Sequence, residues 1–319
     1  RSMTRKERMV GIGMLTKHMV PMVLAVMLVL FSVLIPNFCT VGNIINIFSS
    51  FAVYGVVTIA MALALICGEF DLSVGSIMAF SSLIFATLVN EKTFAAAAAA
   101  ALLSGAVVGV ANGFLVAKFN IPSFVVTMGM QITVKGAACL YTDAKPVAIY
   151  SDFCYTVGNG TLLGIPYLVW AFFAIWLLAG VLLKYTAFGR GLYAVGGNYL
   201  MARNAGINAP IYKFMVFFIL GIASALGGIM MACRISAGNA LYGMDLTMAA
   251  ISANVVGGTS TVGGTGNIRK TLLGLIVLYV LYNALMLLGI QAYVQQLIKG
   301  LIVIIVIVID GLSRVANEN

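Results

Sequence analysis

The stretch Ala60-Met-Ala-Leu-Ala-Leu-Ile-Cys-Gly-Glu-Phe-Asp-Leu-Ser-Val-Gly-Ser76 decides how this chain folds. An apolar run ends at Gly68, two carboxylates follow at Glu69 and Asp71, and a second apolar run continues to Val89. Charge between two segments of this kind is expensive in a membrane and is kept where it has a partner or a task. A break in a helix also frees backbone groups that protein or water must satisfy, so such breaks line cavities.

The composition indicates a helical membrane protein that crosses the bilayer many times. Hydrophobic residues make up 62% of the 319 residues and charged residues only 8%, which excludes an ordinary soluble domain. A net charge of +9 would suggest a nucleic-acid partner in a soluble chain. Here the cations fall mostly in a few loops, so membrane topology explains them better, and we expect the lipid bilayer and no nucleic acid as a partner.

The sequence offers no catalytic or metal-binding set. It has one histidine, His18, and five cysteines without a Cys-x-x-Cys spacing, which we interpret as small buried apolar side chains. The run Gly264-Thr-Gly-Asn-Ile-Arg-Lys-Thr271 lacks the glycine that a phosphate-binding loop requires directly before its lysine. We therefore expect no enzyme activity, no metal and no cofactor in this chain. The five cysteines are Cys39, Cys67, Cys139, Cys154 and Cys233.

Apolar runs of about 20 residues predict ten transmembrane helices in an all-α fold. The eighth is unusual, since it has only thirteen residues, about 20 Å as helix, and it ends in the glycine-rich run Gly257–Gly266. It either crosses as a half-helix continued by extended chain or re-enters on the side from which it came. The ten predicted spans are 19–36, 48–67, 72–90, 94–117, 123–141, 166–184, 211–233, 245–257, 270–289 and 293–310.

The distribution of lysine and arginine predicts the orientation of these helices. The arm 1–18 carries five basic residues against one acid, and the loop 184–213 carries four basic residues and no acid. By the positive-inside rule both are cytoplasmic, and loop 142–165 lies outside. Since Arg269 and Lys270 should also lie inside, we favour crossing over re-entry for the eighth segment. The prediction divides the chain into a cytoplasmic arm (1–18), a transmembrane domain (19–311) that includes the loop 184–213, and a cytoplasmic tail (312–319).

The loop 184–213 contains a short helix suited to docking on another protein. Asn198 is placed to cap its start, Tyr199 to Ala205 make about two turns, and Gly206 is placed to end it. A short basic helix in the cytosol fits a groove of a partner subunit. Charge alone favours an ordinary positive-inside loop, and the glycine and asparagine pattern favours the docking helix.

Three stretches together resemble the permease subunit of ribose-type sugar ATP-binding-cassette (ABC) importers. The first is Gly68 with Asp71-Leu-Ser-Val-Gly-Ser76, the second is Phe188-Gly-Arg with the later Gly-Gly-Asn198, and the third is Ile251-Ser-Ala-Asn-Val-Val-Gly-Gly-Thr-Ser260. The similarity spans about residues 43 to 311. One departure is that the family commonly has Glu-Ala-Ala after Gly-Gly-Asn, where this chain has Tyr199-Leu-Met201. This favours apolar docking over docking through a glutamate.

The resemblance implies a permease that moves a monosaccharide or similar solute inward by alternating access, in the cytoplasmic (inner) membrane of a prokaryote. It implies three partners: an ATP-binding-cassette subunit that carries ATP and Mg²⁺, a second permease copy or a homologous permease, and an extracytoplasmic sugar-binding protein. A proton-coupled secondary transporter or a channel is the alternative. The identity of the sugar, the identity of the second permease and the helices that line the pathway stay open.

Two groups of residues are candidates for function. The two groups are given at the end of this paragraph. Of the polar residues outside them, Asp245 is interpreted as a helix cap and Lys299 as a lysine that reaches for the membrane interface. Asparagines such as Asn112 and Asn283 are interpreted as links between helices. Glu69 and Asp71 have three readings: a structural or gating role, helix capping, or proton coupling. Residues expected to couple to the ATPase are Asn198, Tyr199, Leu200, Met201, Ala202, Arg203 and Gly206, and those expected at the pathway or gate are Gly68, Glu69, Asp71, Ser73, Gly75, Asn254, Gly257 and Gly258.

Overall fold

The structure is a computed structural model that describes the backbone of residues 5–318 and the side chains of residues 20–305 and 308. The side chains of the predicted arm and tail lie outside the described residues. Thirteen helices and four two-residue strands form this part of the chain. The helices are α1 (Arg5–Leu34), α2 (Val41–Cys67), α3 (Val74–Val89), α4 (Phe94–Phe119), α5 (Ser123–Thr142), α6 (Asp152–Asn159), α7 (Tyr167–Tyr185), α8 (Ala187–Gly197), α9 (Tyr199–Asn204), α10 (Ala209–Ile235), α11 (Leu246–Val256), α12 (Ile268–Leu287) and α13 (Ala292–Glu318).

The strands form two small antiparallel pairs outside the helical bundle. β1 (Val147–Ala148) pairs with β4 (Ala237–Gly238), and β2 (Thr161–Leu162) pairs with β3 (Ile165–Pro166). The first pair ties the α5–α6 connection to the segment after α10. All the rest of the regular structure is helical, as the sequence predicts for an all-α fold.

The helices make this a membrane protein that crosses the bilayer several times. Six of the described helices, α2, α4, α5, α7, α10 and α12, are long and apolar enough to span a membrane. Four shorter apolar helices accompany them: Val20–Leu34, Val74–Val89, Leu246–Val256 and Ala292–Ile305. Each of the ten apolar runs in the sequence therefore coincides with a helix.

Two helices were not predicted, and both are explained by local caps. Thr186 accepts a hydrogen bond from the amide of Gly189 (3.2 Å) and starts α8, and Ser151 accepts one from the amide of Cys154 (3.4 Å) and starts α6.

The interpretation of the cysteines as buried apolar side chains was partly wrong. Cys67, Cys154 and Cys233 are buried free thiols, but Cys39 is exposed.

Helix α2 is the centre of the bundle. Apart from half-buried Tyr54, every residue from Phe51 to Cys67 is buried, because α7, α10, α11 and α12 all pack around it. A helix that is apolar on every face is suited to such a position.

The tightest helix pair is α4 with α10, and glycine makes it possible. Gly105, Gly109 and Gly113 lie four residues apart on α4 and face the backbone of α10. A methyl group on Gly105 would overlap the carbonyl oxygen of Gly221. Small residues at this spacing let two membrane helices approach until their backbones touch.

We expect Gly105→Val to lower the stability of the permease by about 1–3 kcal/mol, because the added side chain has no room against α10. The measurement is the thermal unfolding midpoint of the purified protein in detergent. The matched control is Gly129→Val, since a side chain at Gly129 meets nothing within 4 Å. Equal losses in the two variants would contradict the close packing of α4 on α10.

Candidate functional site

The first break in the helical bundle lies between α2 and α3. Gly68 ends α2 with φ of +80°, a left-handed conformation that favours glycine. Asp71 is fully buried, and its Oδ1 accepts hydrogen bonds from the amide (2.7 Å) and the hydroxyl (2.5 Å) of Ser73. Asn112 on α4 donates to the Ser73 hydroxyl (2.9 Å) and lies 3.5 Å from Asp71 Oδ2. Asp71 and Ser73 therefore hold the break against α4.

Helix α5 satisfies the backbone of the same break. The amide of Phe70 donates to the hydroxyl of Ser123 (3.2 Å), and the amide of Leu72 donates to the hydroxyl of Thr127 (3.1 Å). These side chains replace the hydrogen bonds that an unbroken helix would supply.

The second break lies between α10 and α11 and runs beside the first. After the C-cap of α10 at Ser236, Gly238 lies against the carbonyl of Ser82 in the middle of α3, and Gly243 lies against Gly75 at its start. The segment therefore runs antiparallel to α3. A methyl group on Gly75 would overlap the carbonyl oxygen of Gly243, so backbone touches backbone here.

The two half-helices that follow the breaks meet at their N-terminal ends. The hydroxyl of Thr247 in α11 donates to the carbonyl of Leu72 (3.2 Å), just before α3. From there α11 continues away from α3, and Asn254 near its end donates to the carbonyl of Thr58 in α2 (2.9 Å). Asn254 also accepts from the hydroxyl of Thr271 in α12 (2.8 Å). It therefore links α2, α11 and α12, as expected for asparagines in this bundle.

Gly257 and Gly258 hold the end of α11 close to α12. A methyl group on Gly257 would lie 2.6 Å from the carbonyl oxygen of Lys270, and Gly258 has φ of +78°. A larger residue at either position would displace α12 or strain the backbone.

Three chain segments meet at the end of the bundle where α11 finishes. The amide of Gly264 donates to the carbonyl of Ile66 (2.9 Å), and the hydroxyl of Tyr193 donates to the carbonyl of Gly266 (2.9 Å). Burial raises the pKa of Tyr193 above its ordinary value, which keeps this donor protonated. We call this cluster the junction; it comprises residues 66–70, 193–199 and 262–266.

An ion pair connects the first break to the short helix α9. The ammonium of Lys213, in the first turns of α10, lies 2.5 Å from the carboxylate of Glu69. It also lies 4.9 Å from the centre of the Tyr199 ring, the first residue of α9. Both charged side chains are largely buried, with 7% of Glu69 and 18% of Lys213 exposed. Lys213 therefore contacts the break and α9 together.

The short helix α9 has the caps that the sequence predicts. Asn198 accepts a hydrogen bond from the amide of Met201 (2.9 Å), and Gly206 follows the helix with φ of +84°. Ala202 is buried against the bundle and Arg203 is exposed. Leu200 and Met201 project outward, 68% and 71% exposed. Two exposed apolar side chains on one turn form a surface suited to a protein partner.

A cavity of about 720 Å³ lies away from the junction, between α2, the second break, α12 and α13. Asp245 and Lys299 form an ion pair inside it at 3.2 Å, and Lys299 lies 4.8 Å from the centre of the Tyr282 ring. Tyr54 and Tyr279 stack in the wall with ring centres 5.6 Å apart. The cavity is lined by Ile47, Ser50, Tyr54, Leu241, Tyr242, Gly243, Met244, Asp245, Leu246, Ala249, Tyr279, Tyr282, Asn283, Met286, Ala292, Tyr293, Gln295, Gln296 and Lys299.

A half-buried arginine next to this wall links α10 to α2. Arg234, near the end of α10, donates to the side-chain oxygen of Asn46 (2.6 Å) and to the hydroxyl of Ser50 (3.0 Å). Asn43 and Asn283 exchange two hydrogen bonds between α2 and α12. The wall is therefore polar and held by side-chain contacts between helices.

The cavity is the part of the site that the sequence interpretation missed. None of the predicted pathway residues lines it. Asp245 occupies the N-cap position of α11, as predicted, but its side chain makes no capping hydrogen bond and pairs with Lys299, a contact that the sequence did not predict. The sequence does contain a signal for this cavity, because two apolar helices each carry polar residues three or four positions apart, on one helix face. These residues are Tyr279, Tyr282 and Asn283 in α12 and Gln295 and Lys299 in α13.

The chain is similar to several transport proteins over nearly its whole length. The ribose import permease protein of Escherichia coli strain K12 is 35% identical over 90% of this chain and 91% of its own. The L-arabinose ABC transporter permease protein of Azospirillum brasilense is 34% identical over 92% of this chain and 87% of its own. A probable ABC transporter permease protein of Escherichia coli strain K12 is 36% identical over 89% and 86%.

No solved structure matches the chain. Residues 43–307 match the family model described as the branched-chain amino acid transport system / permease component. This range contains both breaks, the junction, α9 and the whole cavity. The chain is therefore a multi-pass membrane permease that belongs to this family of transport system permease components.

Proposed function

We propose that this chain is the transmembrane subunit of an ABC importer that moves a monosaccharide into a prokaryotic cell, with a separate ATPase supplying the energy. Relatives 33–35% identical to it are permeases for ribose and L-arabinose, which favours a sugar over a branched-chain amino acid. The observation that carries the proposal is the junction, because it joins the exposed helix α9 to the first helix break and to the segment that follows α11.

The orientation follows from charge. Arg269, Lys270 and the basic loop 184–213 lie at the junction end of the bundle, so this end faces the cytoplasm and the cavity faces the outside. Six long and four short apolar helices then give ten spans, with both termini inside. The second break starts beside the outer end of α3 and α11 ends near the junction, which favours crossing of the eighth segment over re-entry.

The partners follow from what the chain has and lacks. Leu200 and Met201 of α9 form the apolar surface on which the ATPase docks, and Asn198 and Gly206 fix the ends of that helix. ATP and Mg²⁺ belong to the ATPase. A second permease, identical or homologous, completes the transmembrane part, and an extracytoplasmic sugar-binding protein delivers the solute to the cavity side.

Movement of α9 reaches the first break and the end of α11 through the junction. Tyr199 and Lys213 connect α9 to Glu69 in the first break. Gly196, in α8, packs on the carbonyl of Ile66 and on Gly264, which lies in the chain that follows α11. A displacement of α8 and α9 by the ATPase therefore shifts the two half-helices in the same step.

The proton-coupled alternative fits the first break less well. Asp71 is enclosed by hydrogen bonds from Ser73 and Asn112, and Glu69 is paired with Lys213. A proton-carrying carboxylate needs access to water from each side in turn. These two have protein partners and lie outside the cavity.

Reconstitution with the ATPase and the binding protein tests this function. We expect ribose uptake into vesicles to require ATP and to be lost in Leu200→Asp, because a charge on the docking surface prevents apolar burial; removing one such contact at an interface costs about 2–4 kcal/mol. ATPase co-purification should be lost as well. Leu163→Asp is the matched control, since Leu163 is 87% exposed in the β2–β3 turn at the opposite end.

Two results would contradict the proposal. The first is uptake without ATP that follows an imposed proton gradient and disappears in Glu69→Gln. This result would support the proton-coupled secondary transporter. The second is normal ATPase binding by Leu200→Asp. This result would mean that the ATPase does not dock on the apolar surface of α9.

The Glu69–Lys213 pair gives a test of the connection between α9 and the break. Glu69→Gln should keep ATP-dependent uptake, because the amide oxygen still accepts from Lys213. Lys213→Met should reduce uptake at least tenfold, because it leaves Glu69 buried without a cation. The double variant Glu69→Gln with Lys213→Met should recover part of that loss. Initial uptake rates measure all three, and strictly additive effects would show that the two side chains are not coupled.

A further inference from the structure

The two helix breaks carry related sequences. The first half-helix is entered through Asp71-Leu-Ser-Val-Gly-Ser-Ile77 and the second through Asp245-Leu-Thr-Met-Ala-Ala-Ile251. Aspartate, leucine and isoleucine are identical at the first, second and seventh positions. The third position is a hydroxyl residue in both, the fourth is a large apolar residue, and the fifth and sixth are small.

The structure places these sequences in equivalent positions. Each follows a helix of 27 residues, α2 or α10, and a non-helical segment, and each opens a short apolar helix, α3 or α11. The half-helices begin side by side, at the Gly75–Gly243 contact and the Thr247–Leu72 hydrogen bond, and point in opposite directions. This is the arrangement of an inverted-topology repeat, in which solutes bind where the broken helices meet.

The two aspartates of the repeat have different surroundings. Asp71 is 0% exposed, and its carboxylate is occupied by Ser73 and Asn112. The side chain of Asp245 is 47% exposed and projects into the cavity, where Lys299 is its ion-pair partner. One aspartate therefore holds the scaffold, and the other is available to a molecule in the cavity.

The groups around Asp245 suit a neutral molecule with many hydroxyl groups. Carboxylate oxygens accept hydrogen bonds from hydroxyls, and the Lys299 ammonium donates to hydroxyl oxygens. The Tyr282 ring, 4.8 Å below Lys299, offers a flat apolar face, and Gln295 and Gln296 add amide groups at the rim. A volume of 720 Å³ is within the range of small-molecule sites, about 300–1,000 Å³.

We propose that Asp245, Lys299 and Tyr282 form the site at which this permease binds its neutral, polyhydroxylated solute. In the empty cavity the two charged groups satisfy each other. When the solute enters, its hydroxyl groups take over part of these hydrogen bonds and its carbon face packs on Tyr282. This inference rests on the proposed function, because it names the site of the same transport path.

The test measures binding without using ATP. In a permease whose five native cysteines are replaced, Gln296→Cys places one thiol at the rim of the cavity, and its rate of maleimide labelling is followed at increasing ribose concentrations in the complex with the ATPase. Ribose should slow labelling of this thiol and should not slow labelling of Tyr150→Cys, an exposed position outside the cavity.

Variants then identify the residues responsible. Asp245→Asn and Lys299→Gln should each raise the half-protecting ribose concentration at least tenfold. Asp152→Asn is the matched control, because Asp152 is an exposed acid on α6 outside the cavity. A deoxyribose should protect the wild-type permease less well than ribose does, and this difference should shrink in Asp245→Asn, which a merely structural ion pair would not cause.

The outcomes separate this inference from the proposed function. Equal protection in wild type and both variants, or no protection in a permease that takes up ribose, would overturn the site. Protection by leucine in place of ribose would overturn it as well. Protection by ribose that depends on Asp245 would support the site, whatever drives transport. Uptake that is independent of ATP would overturn the ABC importer and leave the site intact.

Discussion

The contact between Gly75 and Gly243 is the constraint on which the rest of this structure depends. Here the first turn of α3 touches the non-helical segment before α11 without any side chain between them. An interrupted backbone inside a membrane must find hydrogen-bond partners within the protein. The contact helps to meet this need, because it brings Thr247 of α11 to the carbonyl of Leu72 in the first break, while α5 accepts from the amides of Phe70 and Leu72. Any larger residue at Gly75 would separate the two breaks.

The position of α11 sets the distance between the cavity and the junction. Helix α11 begins at the cavity with Asp245 and ends near the junction, so it is the short connection between the cavity and the segment that contacts α8. Buried contacts along this route are mostly backbone to backbone or through single polar side chains such as Asn254. A displacement at one end is therefore transmitted as movement of whole half-helices, in keeping with the dense packing of protein interiors.

The sequence predicts those features that depend on local pattern. Hydropathy located all ten apolar helices, and the spacing of Asn198 and Gly206 located the caps of α9. It did not predict the partners of Asp245 and Lys299, because their contact requires α13 to fold back over α11. The cavity was missed for the same reason: its wall combines α2, α12 and α13, and no short segment contains its pattern. The residues near Gly68 and Gly257 hold the breaks and the end of α11 in place, and their role at the pathway stays a prediction.

The central claim is that the second break and α11 together cross the membrane, and sidedness of labelling tests it most directly. Single cysteines at Leu241 and Val262 bracket α11 and are exposed by 59% and 68%. In vesicles of known orientation, an impermeant maleimide should reach the cysteine at Leu241 only from the outside and that at Val262 only from the cytoplasmic side. Labelling of both positions from the same side would contradict the crossing, and with it the inverted repeat and the placement of the cavity.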